Sequence, residues 1–73
     1  MKKLLKEYDF KQDAEYYDMI YLSYMNGQIE QARTQFLAMA VNYRKECYKY
    51  FEGFYDEPAG AQKVFLNFCF YLI

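Results

Sequence analysis

A chain of 73 residues with nine Lys and Arg against ten Asp and Glu carries a net charge of −1 and has no histidine. A non-specific polyanion binder needs a positive excess to displace phosphate counterions, so that class is disfavoured at the outset. Without histidine no Ser-His or Cys-His pair can be built and the common zinc patterns are excluded, so neither enzymatic chemistry, a metal nor a cofactor is expected.

This length makes one domain, residues 1–73, and a chain so short buries only roughly 60% of the surface its unfolded form exposes. Seven Phe and ten Tyr must share that small interior, and each aromatic side chain buries on the order of 150–250 Å². There are too many rings to hide, so several tyrosines are expected half-exposed or at an interface. Charge is unevenly placed. Glu7, Asp9, Asp13, Glu15 and Asp18 make the first quarter acidic, whereas Arg33, Arg44, Lys45 and Lys49 make the middle mildly basic. Cys47 and Cys69 lie in apolar runs with no Cys-x-x-Cys spacing, which predicts two small buried hydrophobes in a reducing compartment.

In chain order, the opening Met1-Lys2-Lys3-Leu4-Leu5-Lys6 imitates the charged start of a signal peptide, but Glu7, Tyr8 and Asp9 interrupt before an apolar segment forms. It is not expected to act as one. Residues 2 to 8 can form a short helical turn with Leu4, Leu5 and Tyr8 on one side, held only by packing. Asp13 is the preferred N-cap of the next helix, with Glu15 and Asp18 at its positive end, and Asp9 with Gln12 is an alternative start. That helix is predicted to end at Met25, before Asn26-Gly27. Ala14, Tyr17, Ile20, Tyr21, Tyr24 and Met25 form one broad arc on it; Tyr16, Met19 and Leu22 fall on the other side, so the helix should contact two things, one of them the chain's own tail.

Only Asn26-Gly27 separates this helix from the one starting near Gln28, which predicts an antiparallel helical hairpin. Tyr16, Met19, Tyr24, Gly27, Ala32 and Phe36 fall at about the spacing of the large, small and aromatic positions of one tetratricopeptide repeat. Residues 14–41 thus resemble a single such hairpin, although Ile20 stands where that family has a small residue and Arg44 where it has the closing proline. The resemblance implies two close-packed helices and a protein-binding role, with no ligand residue carried over. Arrays of this kind stack at least about three units, and no second copy is present.

From Gln28 to Phe54 the apolar residues Ile29, Ala32, Phe36, Met39, Tyr43, Cys47, Tyr50 and Phe54 recur at steps of three and four and form one helical stripe. An unbroken helix of that length would be about 40 Å long, more than its neighbours could cover. A break or bend is therefore expected near Val41 and Asn42, the weakest helix formers there. A straight helix would instead require a second copy to cover it. Gly53 ends the segment, and Asp56-Glu57-Pro58 marks a restart that runs as a helix from Pro58 toward Leu72. Val64 to Ile73 is apolar on all sides except Asn67 and too short to span a membrane, which takes about 20 residues. A strand here would need another molecule to pair with, so a helix is preferred.

These expectations combine into an all-α fold: a small helical bundle of about four helices built on an antiparallel hairpin, in a soluble cytoplasmic protein. The expected function is a small non-enzymatic protein–protein interaction module, an adaptor or inhibitor that self-associates as a homodimer through aromatic-rich surface. Tyr16, Met19, Leu22, Phe68, Phe70, Tyr71 and Ile73 are its predicted contacts. The alternative is an accessory nucleic-acid binder that uses the mixed basic and aromatic segment 43–51, with Arg44, Lys45, Tyr48 and Lys49 as the contacts.

Overall fold

The computed structural model describes all of residues 1–73 as five helices: α1 (Lys2–Glu7), α2 (Asp13–Met25), α3 (Ile29–Leu37), α4 (Val41–Phe54) and α5 (Gly60–Leu72). There is no strand, so the all-α expectation holds. The five helices agree roughly with the expected number of about four; the N-terminal turn and the break in the long stripe both form. No helix is long and apolar enough to cross a membrane.

Local chemistry sets the boundaries. At the start of α2 the cap is Gln12, not Asp13, which is the first helical residue. The carboxylate of Glu15 accepts from the backbone N–H of both Lys11 and Gln12, at 3.0 and 3.1 Å, and so closes the turn from within. At the far end Gly27 sits at φ 81°. There the Gln28 N–H donates to the Ser23 carbonyl at 2.9 Å and the Gly27 N–H to the Tyr24 carbonyl at 3.1 Å, the paired bonds of a Schellman turn. The same turn ends α1 around Asp9, at φ 58°, where Phe10 N–H reaches Leu5 and Asp9 N–H reaches Lys6. Aspartate is one of the few non-glycine residues that tolerate this conformation. Helix α5 starts at Gly60, two residues after Pro58, and Gln62 Oε1 caps it by accepting from Ala59 N–H at 3.0 Å. Gly60 is therefore its first residue.

The break in the stripe falls at Ala38 to Ala40, a few residues before Val41 and Asn42, with Ala40 extended at ψ 156°. The carbonyls that end α3 then lack helical donors. Arg44 supplies them: Nε donates to Met39 O at 2.9 Å and Nη2 to Leu37 O at 3.0 Å. Its charge, although carried in the first turns of α4, lies against the negative end of α3. The bend keeps the longest dimension at 33 Å, shorter than a straight helix over 28–54 would need.

The core is one cluster of Tyr16, Tyr17, Ile20, Ala32, Phe36, Met39, Cys47, Phe51, Phe65, Leu66 and Cys69. The Tyr16 hydroxyl, near the start of α2, donates at 2.6 Å to the carbonyl of Gln35, near the end of α3, so the hairpin is antiparallel. Ala32 is fully buried between these helices, where a small side chain lets the backbones approach. Helix α2 is central: Tyr16 faces α3, Tyr17 packs on Tyr50 of α4, and Tyr21 and Tyr24 meet Phe65 of α5 at 5.2 and 5.3 Å. Contact with the tail is thus real, but it is made by the Tyr21–Tyr24 arc and not by the Tyr16 side. The two ends of the long stripe, Ile29 and Phe54, are exposed.

Candidate interaction surface

Helix α5 has thirteen residues and a single charge, Lys63. At 100° per residue, Phe65, Leu66 and Cys69 fall on one side and are buried, while Val64, Asn67, Phe70 and Tyr71 share the opposite arc with Lys63. Their side chains are open: Val64 is 55% exposed, Phe70 60% and Tyr71 83%. Segment 64–73 carries apolar residues on every side, Asn67 apart, and the bundle covers about half of it.

The predicted contacts separate into three groups. Phe70 and Tyr71 stand on the outer arc, with ring centroids 5.8 Å apart. Phe68 and Ile73 are half-buried; Phe68 lies 4.8 Å from Tyr24, so it holds α5 to α2 more than it presents a surface. On α2, Leu22 is exposed at 58% and Met19 is half-buried against the core. Tyr16 must be corrected. It is 1% exposed, enclosed by α3 and by Tyr8, and its hydroxyl is committed to Gln35. Tyrosine spacing alone could not tell a ring facing a neighbouring helix from one facing a partner.

The residues proposed for nucleic acid also divide. Arg44 is spent on the α3 carbonyls, and Lys45 and Lys49 are exposed. Tyr48 packs against Phe70 with centroids 6.0 Å apart, so it extends the outer face of α5 onto α4. Val64, missed as a site residue, joins this surface. The signal available was its step of seven to Tyr71, which puts both on one face of a helix.

Both cysteines are free and fully buried. Burial pushes the Cys69 thiol up to about 12 and raises that of Cys47 further, with Cys69 and Asp18 adding smaller contributions. Such thiols stay protonated and act as small hydrophobes. Burial likewise raises the Tyr16 hydroxyl to about 12 and that of Tyr17 beyond it. No three or more Cys, Asp and Glu side chains cluster in the arrangement of a metal site. In comparisons with protein-family models, curated proteins and solved structures, the chain matches none of them.

Proposed function

We propose that this protein is a small non-enzymatic interaction module that pairs with a second copy through the outer face of α5, extended by Tyr48 of α4. One observation carries this reading: a terminal helix with a single charge leaves Val64, Phe70 and Tyr71 more than half exposed on one arc. The total area argues nothing by itself. It is 4997 Å², close to the ~4800 Å² expected of a monomer of this mass. What is unusual is which side chains form it. Aromatic residues at the centre with charged residues at the edge make the usual anatomy of a protein interface, and Lys45, Lys49 and Glu52 flank Tyr48 on α4. A standard interface of about 800 Å² per partner would cover about a sixth of the molecule.

A paired module of this kind acts by occupying a partner's surface, as an adaptor or inhibitor. The nucleic-acid alternative is weaker, since Arg44 is engaged inside the fold and Tyr48 belongs with Phe70. Light scattering across a concentration series tests the proposal: the mass should rise toward twice the monomer in the wild type and stay at the monomer when Phe70 and Tyr71 are both replaced by Ser. A wild type that remains monomeric at high concentration contradicts it.

A further inference from the structure

On a different side of the bundle, Asp18 and Tyr21 of α2, Tyr50, Phe51 and Phe54 of α4, Tyr55 and Gln62 line a cleft of ≈ 230 Å³. No residue of the outer α5 face belongs to it. Some of its rings cross, Tyr50 and Phe51 at 80° and Phe54 and Tyr55 at 85°, and others lie near-parallel, Tyr21 and Phe51 at 27° and Tyr50 and Phe54 at 29°. Phe51 is buried and forms the floor, whereas Phe54 is 73% exposed at the rim. Neighbouring rings touch one another, with centroids 5.0 to 6.4 Å apart, so a group resting in the cleft meets several rings at once, and a ring face attracts a cation within ≈ 6 Å.

The polar groups select the charge and its kind. Asp18 is the only charged residue in the lining, and no Lys or Arg shares it. Its carboxylate accepts one hydrogen bond, from the Tyr50 hydroxyl at 3.1 Å, and makes no ion pair; the single ion pair in the molecule joins Arg33 to Glu30. A carboxylate has roughly four acceptor positions, so Asp18 keeps capacity to face a cation. Gln62 Oε1 is already committed to the Ala59 N–H. A primary ammonium brings three donors and is strongly hydrated, whereas the lining is mainly aromatic. A methylated ammonium brings none or one and covers its charge with apolar methyl groups, which suit ring faces. The cleft is also smaller than the roughly 300–1,000 Å³ of sites for drug-sized ligands, so it suits a head group and not a large molecule.

We propose that this aromatic cleft, with Asp18 at its edge, is a binding site for a quaternary or multiply methylated ammonium group. The ring faces hold the methyl shell, and the Asp18 carboxylate supplies the opposing charge.

The test is a calorimetric or NMR titration of the intact protein with choline chloride, against sodium chloride at equal ionic strength. 3,3-Dimethylbutan-1-ol, the uncharged carbon analogue, serves as the control. Choline should bind about tenfold more tightly than the carbon analogue. Both Asp18→Asn and Phe54→Leu should weaken choline by a similar factor; both positions are exposed, so helicity should be unchanged. A peptide bearing trimethyllysine identifies the source of the group: tighter binding than choline points to a modified protein, and weaker binding to a free small molecule. Equal affinity for the carbon analogue, no response to choline, or variants that bind like the wild type would each overturn the proposal.

Discussion

The α2–α3 hairpin and helix α5 are both rich in apolar residues, yet the bundle treats them differently. In the hairpin Tyr16, Ile20, Ala32 and Phe36 are all sealed, and the polar atoms released by its turns find donors or acceptors. Helix α5 seals Phe65, Leu66 and Cys69 with equal care, then turns Phe70 and Tyr71 outward. A chain of this length runs out of covering helices before it runs out of rings. Of its large apolar side chains the hairpin leaves only the aliphatic Leu22, Ile29 and Leu37 exposed, whereas the outer face of α5 leaves aromatic rings open.

Substitutions should separate the two regions sharply. Phe65 is fully buried and packs edge-to-face on Tyr21, Tyr24 and Phe51, so Phe65→Ala should cost about 3–5 kcal/mol. That is comparable to the whole stability of a domain this small, which is on the order of 5 kcal/mol. Chemical denaturation should find the variant largely unfolded.

Alkali attacks the same core by another route. The buried thiols and tyrosines hold their protons more tightly in the fold than in the unfolded chain, with burial as the main cause. Their contribution is therefore complete below the unfolded thiol value of about 8.5 and is lost as pH climbs toward 12. Urea titrations followed by far-ultraviolet circular dichroism at a series of pH values should show the midpoint moving steadily to lower urea over that interval. A midpoint constant from pH 8 to 11.5 would contradict the burial of these groups.

Within the hairpin the effects become smaller and differ in sign. Tyr16→Phe removes the donor to the Gln35 carbonyl and leaves that buried acceptor unpaired, at a cost of about 1–3 kcal/mol in urea denaturation. Gln35→Met should move the other way. The buried Oε1 of Gln35 has no hydrogen-bond partner, so an apolar side chain of similar shape should stabilise by about 1 kcal/mol. Outside the core, replacing Phe70 and Tyr71 together by Ser should change monomer stability by no more than about 0.5 kcal/mol, the usual range for surface positions.

The pattern of apolar residues made most of the fold legible. The hairpin follows from Asn26-Gly27 and the step from Ala32 to Phe36, and the helical tail from the lack of any strand partner. Two features depend on groups distant in space. The break at Ala38–Ala40 is held by Arg44 reaching back to Leu37 and Met39, so a cation that looks misplaced on α4 is well placed on α3. Tyr16 and Tyr71 illustrate the same limit at the surface, since one is sealed and the other open although both are tyrosines on apolar helices. The neighbours of Tyr48 in sequence place it on a basic surface, but its neighbour in space is Phe70.

The central claim is that the outer face of α5 is covered by a second copy, and sedimentation equilibrium tests it most directly. Wild-type protein at several loading concentrations should fit a monomer–dimer equilibrium, and the Phe70→Ser, Tyr71→Ser double variant should sediment as a monomer of 8.9 kDa with unchanged helicity. Wild-type and variant proteins that both sediment as monomers at the highest concentration, or that both sediment as the same dimer, would contradict the account.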